Sequence, residues 1–200
     1  HADSATIDPH KFGFIHYPCG AIIFNDLKYR EMIQHVAPYL RDLAPTVEGS
    51  RPGSPSASCW VAHETLGKRG YQKIISGLIK KTQYLKDLIV DSEMFQVFHE
   101  VELNTIAFGM LPKNENATRV ELNQMIKELM AKVNQEGYKV NFLSDLADIK
   151  VRNKPNYEKS VLVPINGIRM LIMSPYTTEA EIEDFVYILI KNAKKIRKHS

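Results

Sequence analysis

The sequence predicts an α/β fold in two parts, and three patterns in its 200 residues carry this prediction. Short apolar runs between turn-forming residues, such as Ala21–Phe24, are typical of buried strands. Longer segments with apolar residues three or four positions apart, as at 71–90, are typical of amphipathic helices. The sequences that begin at Thr118 and Thr178 have the Thr-x-x-Glu capping-box pattern, which marks the start of a helix. We therefore expect short strands alternating with helices.

The first part comprises residues 1–68. It predicts strands at 5–8 and 21–24, a helix at about 26–36, and a helix that begins at Ser54 and is closed by Gly67 and Gly70. On that second helix, Trp60 is expected in the core. Because two short strands do not make a sheet with its own core, we expect this part to close a larger α/β domain whose other strands lie upstream in the same polypeptide.

The second part, residues 69–200, predicts a small C-terminal domain. The long helix at 71–90 is followed by strands at 95–101 and 105–111 and by the helix that Thr118 caps. Three further strands are predicted at 138–143, 160–164 and 168–173, before the terminal helix that Thr178 caps. This order predicts a small α/β or α+β domain with a largely antiparallel sheet and helices on one face.

Composition and charge exclude several classes of protein. The 26 Lys and Arg residues nearly balance the 23 Asp and Glu residues, and the net charge is only +3, so the sequence does not predict a nucleic-acid-binding protein. No apolar run approaches the roughly 18 residues that a membrane-spanning helix needs. Cys19 and Cys59 lack the spacing of a metal site or a disulfide framework, so we expect no metal and a reducing, cytoplasmic environment.

The segment around Lys11 is the strongest candidate for chemistry. Lys11 follows the first predicted strand and is flanked by Pro9 and Gly13, with His10 immediately before it. A turn restricted in this way can present the lysine amine from rigid backbone into a cleft. The alternative is a solvated turn lysine, which is the usual state of this residue type.

Three blocks give this chain a resemblance to a known family. Asp8-Pro9-His10-Lys11, followed by Cys19-Gly20-Ala21-Ile22-Ile23, resembles the cofactor-lysine segment of the pyridoxal-phosphate-dependent group II amino-acid decarboxylases. Gly49-Ser50-Arg51-Pro52-Gly53 resembles the serine-arginine-proline block of glutamate decarboxylases and sphingosine-phosphate lyases. The segment 168–176 resembles a late strand of tyrosine and aromatic amino-acid decarboxylases. The order of the blocks implies the C-terminal part of an aspartate-aminotransferase-type fold, the end of the large domain followed by the small one.

The resemblance also implies roles for individual residues. Lys11 would form the internal aldimine, a Schiff base, with pyridoxal 5'-phosphate and later return a proton, and His10 would contact the cofactor phosphate. Ser50 would reach the phosphate of the neighbouring subunit, which implies a homodimer with composite active sites. Arg169 would bind the substrate carboxylate or, as the alternative, form a structural ion pair. The residues that hold the pyridine ring would precede Lys11, outside this chain.

The function implied by the resemblance is decarboxylation of an L-amino acid, aromatic or otherwise non-basic, by a cytoplasmic pyridoxal-phosphate enzyme. Two alternatives stay open. One is a carbon–carbon lyase of the sphingosine-phosphate lyase type, because the Ser50 block is similar in both groups. The other is a non-catalytic fragment that acts only as a dimerisation unit.

Overall fold

The computed structural model describes residues 2–26, 28–29, 51–113, 117–146 and 165–198. The chain divides into two compact units, His1–Gln72 and Lys73–Ser200. The division falls inside the long helix α1 (Ser54–Asp91). None of the helices in the described ranges combines the length and the apolar character needed to cross a membrane.

A two-stranded antiparallel sheet forms the start of the first unit. Strand β1 (Ser4–Ile7) pairs with β2 (Ala21–Phe24), with Ile7 opposite Ala21, so both predicted strands are confirmed within one residue. Successive residues of a strand point to opposite faces, so Ile22 and Ile23 lie on different faces of this sheet. Their side chains are 52% and 55% exposed. Both faces of the sheet are therefore apolar and open to solvent in this unit.

Helix α1 consists of two helical stretches that meet at a kink, as the sequence predicted. Gly67, with φ 55° and ψ −177°, is not helical and separates residues 54–66 from residues 68–91, so the second stretch begins three residues earlier than predicted. Glycine adopts this left-handed φ without a steric penalty, so one residue produces the break and the helix resumes at once. Trp60 was expected in the core. This expectation was wrong, because Trp60 is 66% exposed in the part of the chain that the structure describes.

The second unit contains an antiparallel sheet of four strands in the order β3-β4-β6-β5. Its strands are β3 (Phe95–Val97), β4 (Thr105–Met110), β5 (Asn141–Leu146) and β6 (Ile165–Leu171). The predicted antiparallel character is confirmed. Strand β5 begins three residues later than predicted, because Gly137 turns the chain with φ 97° and the Val140 N–H donates to the side chain of Asn134. The strand predicted at 160–164 lies outside the described residues.

Both capping boxes are present and begin the helices as predicted. Helix α2 (Arg119–Gln135) follows Thr118, and helix α3 (Glu179–Ile196) follows Thr178. The Thr178 hydroxyl accepts the Glu181 N–H at 3.2 Å, and the Glu181 carboxylate accepts the Thr178 N–H at 2.7 Å. Each box satisfies two backbone donors that the helix itself leaves unpaired.

Strand β4 lies in the centre of the core. Its residues 106–110 are all buried, so both faces of this strand are covered. The ring of Phe98 lies against two glycines of neighbouring strands. A Cβ added at Gly109 would lie 2.4 Å from Phe98 Cζ, and one at Gly167 would lie 2.5 Å from Phe98 Cε2. The two glycines therefore leave the space that the ring occupies.

Candidate functional site

Lys11 lies in a compact turn between β1 and β2. The Lys11 N–H donates to the carbonyl of Asp8 at 2.9 Å, and the Phe14 N–H donates to the carbonyl of Lys11 at 3.1 Å. The Ile15 N–H donates to the carbonyl of Pro9 at 3.2 Å, and Ile15 itself is buried. Since backbone hydrogen bonds hold both sides of Lys11, the position of its Cα is fixed by the turn.

Gly13 and Tyr71 fix this turn further. A Cβ at position 13 would lie 2.5 Å from the carbonyl oxygen of Pro9, so the close approach of the two segments requires glycine. The Tyr71 hydroxyl donates to the carbonyl of Gly13 at 2.9 Å and joins helix α1 to the turn. Burial raises the pKa of Tyr71, which keeps this hydroxyl protonated as a donor.

The Lys11 side chain points outward from the turn and pairs with Asp8. Lys11 Nζ lies 2.7 Å from Asp8 Oδ2, and the two side chains are 64% and 40% exposed. The hydrogen bond from Lys11 lowers the pKa of Asp8 below its ordinary value. The turn therefore presents a primary amine to solvent with a carboxylate beside it.

His10 is held through one ring nitrogen. Its Nδ1 is hydrogen-bonded to the carbonyl of Cys19 and lies 3.3 Å from the Cys19 backbone nitrogen. The His10 backbone N–H also donates to the Cys19 carbonyl, at 3.2 Å, and the edge of its ring contacts Tyr17 with centroids 5.0 Å apart. Both ring contacts within the described residues involve Nδ1. In the tautomer that accepts the Cys19 N–H at Nδ1, Nε2 carries the ring proton and is left to donate to an external group.

An open groove runs between the loop that follows Lys11 and helix α1. Phe14, Ile15 and His16 line it from the loop, and Val61 and Leu66 line it from the helix. The groove is largely apolar and lies beside the turn that carries Lys11.

The structure brings two of the four predicted site residues together. Lys11 and His10 are neighbours in the turn, whereas Ser50 lies outside the described residues. Arg169 is on β6 in the second unit, exposed, and pairs across the sheet with Ala107 and Asn141. In the parts of the chain that the structure describes, there is no cluster of three or more His, Cys, Asp or Glu side chains that could bind a metal ion.

Sequence reasoning missed three contributors to this site. Asp8 could have been found, because a carboxylate three residues before a lysine in a turn is within reach of its amine. The contact between His10 and Cys19 spans nine residues, and the one between Tyr71 and Gly13 spans 58. No local pattern predicts contacts at those separations, so they had to be observed.

The Lys11 amine and the His10 imidazole are groups that can bind pyridoxal phosphate. A primary amine is the group that reacts with an aldehyde, and an adjacent imidazole nitrogen is a suitable contact for a phosphate oxygen. Both groups project from the turn, whose backbone is held in place by hydrogen bonds and by the close approach of Gly13 to Pro9. The residues of this turn thus fit the attachment end of that cofactor.

Comparison with known proteins matches this region to a single family. The model of the pyridoxal-dependent decarboxylase conserved domain matches residues 1–111 of the chain. Among curated relatives, the probable L-tyrosine/L-aspartate decarboxylase of Methanosphaera stadtmanae is 35% identical over 129 residues, which cover 64% of this chain and 31% of that protein. The chain thus spans about a third of the length of this relative.

Solved structures share the fold over nearly the whole chain. The structure of Oryza sativa TDC with PLP and tryptamine matches with a TM-score of 0.73 and 16% identity, covering 98% of this chain and 39% of that one. A sphingosine-1-phosphate lyase from Burkholderia pseudomallei matches with a TM-score of 0.71 and 18% identity, covering 98% and 38%. At these identities the likeness shows the fold, the C-terminal part of an aminotransferase-type architecture.

Proposed function

This chain belongs to the pyridoxal-dependent decarboxylase family, and from that premise we propose that it supplies the cofactor-binding lysine of an enzyme that decarboxylates an L-amino acid. Lys11 Nζ is the amine to which pyridoxal phosphate attaches. His10 contacts the cofactor phosphate through Nε2. The observation that carries the proposal is the turn at 8–15, which lies inside the matched region and presents the Lys11 amine beside an anchored imidazole.

Attachment of the cofactor requires the neutral form of the Lys11 amine. An ammonium group cannot attack an aldehyde, so Nζ has to lose a proton first. The Asp8 carboxylate, 2.7 Å away, holds the amine in one place until the cofactor arrives. When bound, pyridoxal phosphate supplies an electron sink for the pair left at the substrate Cα as carbon dioxide departs. Lys11 would then return a proton to that carbon.

The substrate is proposed to be a non-basic amino acid, with tyrosine and aspartate as the first candidates. The support is the Methanosphaera relative, a probable L-tyrosine/L-aspartate decarboxylase that is 35% identical to this chain over the aligned region. The lyase and TDC structures match with TM-scores of 0.71 and 0.73, so the fold does not decide between the lyase alternative and the decarboxylation of an amino acid. Arg169, exposed on β6, is a proposed contact for the substrate carboxylate.

We also propose that the first unit completes its core within a larger assembly. The exposed Ile22 and Ile23 give the β1–β2 sheet two apolar faces, the pattern of a sheet that is covered on both sides. Trp60 and Val61 add an exposed apolar stretch on helix α1. Further polypeptide of the large domain would cover the sheet, and a homodimer with Ser50 at the partner's cofactor phosphate would explain the exposed helix. We also propose that the large domain ends at about residue 68 and that the small domain follows it.

The proposed activity is tested by measuring carbon dioxide release from the full natural polypeptide supplied with pyridoxal phosphate. L-Tyrosine, L-aspartate, L-glutamate and L-lysine serve as substrates. Lys11→Arg should abolish release, because a guanidinium stays protonated and does not attach the cofactor. Lys28→Arg is the matched control, since Lys28 is another exposed lysine paired with a nearby carboxylate, at 3.1 Å from Asp26. Release by the Lys11→Arg protein, or none from any amino acid by the wild type, would contradict the proposal.

A further inference from the structure

The two cysteines of the chain meet beside the Lys11 turn. Cys19 Sγ lies 3.8 Å from the carbonyl oxygen of Pro55, in the first turn of helix α1. Cys59 is four residues further along the same helix, and a helical side chain leans toward the helix N-terminus and covers the preceding turn. The Cys59 side chain is thereby directed toward the place where Cys19 touches the helix.

The Cys59 thiol also acts directly on the Cys19 thiol. The pKa of Cys19 is raised, first by burial and then by the charge of Cys59 and a side-chain hydrogen bond to it. Both residues are free cysteines of intermediate exposure, so a small reagent can reach them. Two accessible thiols that interact across different segments are the reactants from which an intrachain disulfide forms.

We propose that Cys19 and Cys59 form a reversible intrachain disulfide, a modification site that links the loop after Lys11 to helix α1. The oxidant is a low-molecular-weight disulfide such as oxidised glutathione. The thiolate of one cysteine attacks it and releases one glutathione thiolate, and the second cysteine then attacks the protein sulfur of the mixed disulfide and releases the other. Two protein thiols are oxidised, one disulfide is reduced to two thiols, and the two protein protons pass to the glutathione thiolates.

The position of Cys19 gives this disulfide a consequence for His10. The backbone N–H of His10 donates to the Cys19 carbonyl, and Nδ1 of the His10 ring is held against the backbone of Cys19. Forming a bond between the sulfurs, at a length of about 2 Å, draws Cys19 toward helix α1 and disturbs those two contacts. Oxidation therefore loosens the anchor of the imidazole next to Lys11. This consequence rests on the proposed function, whereas the disulfide itself does not.

The disulfide is tested by mapping thiols in the full natural polypeptide. The protein is incubated with oxidised glutathione at mildly alkaline pH, free thiols are alkylated, and the unreduced digest is analysed by mass spectrometry. We expect a linked pair of peptides containing Cys19 and Cys59, lighter by two hydrogen atoms than their sum and separated by a thiol reductant. Alkylation of both cysteines, stable mixed disulfides at both, or links to other cysteines would overturn the proposal.

A second measurement tests the coupling to His10. The dissociation constant of pyridoxal phosphate is measured for the reduced and the oxidised protein, with Cys59→Ser treated identically as the control. Oxidation should weaken binding by roughly three- to tenfold in the wild type, the size of one lost hydrogen bond, and leave Cys59→Ser unchanged. Equal affinity of the two wild-type forms, once the linked peptides are found, would overturn the coupling. Absence of cofactor binding in both forms would contradict the proposed function and leave the disulfide standing.

Discussion

Replacing Gly167 by alanine tests the packing of the sheet in the second unit. The added Cβ would lie 2.5 Å from Phe98 Cε2 and 3.1 Å from the carbonyl oxygen of Phe108. Carbon atoms pack at about 3.5–4.0 Å, so the ring must withdraw by roughly 1 Å. The Phe108 carbonyl cannot give way easily, because its strand is paired with β6 at the adjacent residue, Ile168.

The expected loss is that of overpacking a core, about 1–3 kcal/mol in the free energy of unfolding. For a chain of this size each kcal/mol lowers Tm by about 2–4 °C, so the melting temperature should fall by roughly 2–12 °C. Urea denaturation followed by circular dichroism measures the change. Truncating the ring by Phe98→Leu in the Gly167→Ala background should cost less than Phe98→Leu alone, because it relieves the clash.

Gly77→Ala is the matched control for this substitution. A Cβ at Gly77 meets no atom within 4 Å, and the residue lies inside helix α1. Alanine there should raise the free energy of unfolding by about 0.5–1 kcal/mol through its greater helix propensity. The packing argument is refuted if Gly167→Ala unfolds at the same urea concentration as the wild type, or if Gly77→Ala is the more damaging change.

Two other predictions concern the alkaline stability of the second unit and the composition of the active site. A hydrogen bond to Asp184 raises the pKa of Tyr138 from 10.0 to about 12, so its stabilising effect is complete below pH 10 and is lost as the pH rises toward 12. Tyr138→Phe should therefore show a smaller fall in its urea midpoint than the wild type between pH 9 and about 12, and equal falls would contradict this account. Mixing Ser50→Ala with Lys11→Ala subunits should restore activity in verified heterodimers, because one of the two shared sites then carries neither lesion. No recovery would place Ser50 within its own subunit or away from the phosphate.

Local patterns predicted much of the fold, because caps and strands depend on neighbouring residues. The Thr118 and Thr178 boxes and the strand Ala21–Phe24 are where the sequence placed them. The break at Gly67 was predicted, but the start of the second helical stretch at residue 68 was not, because the sequence does not show that the residue directly after a left-handed glycine resumes a helix. The exposure of Trp60 was also missed. The residue type indicates that tryptophan prefers to be buried, but it does not show whether other residues lie close enough to bury it.

The candidate site was predicted through its residues and not through its contacts. The resemblance identified Lys11 and His10, and the structure places them on one fixed turn. The support for that turn comes from Tyr71, 58 residues beyond Gly13, and the neighbour of Cys19 lies on helix α1. Such contacts depend on how the loop and the helix pack together. Sequence spacing carries no information about that packing.

The most direct test of the central claim is to trap the cofactor on its lysine. The full natural polypeptide is loaded with pyridoxal phosphate, the carbon–nitrogen bond that joins the two is reduced with borohydride, and the labelled peptide is identified by mass spectrometry. The account predicts the pyridoxyl group on Lys11, next to His10 in the turn that follows β1. A label on any other lysine, or cofactor that stays bound with no label on Lys11, would contradict it.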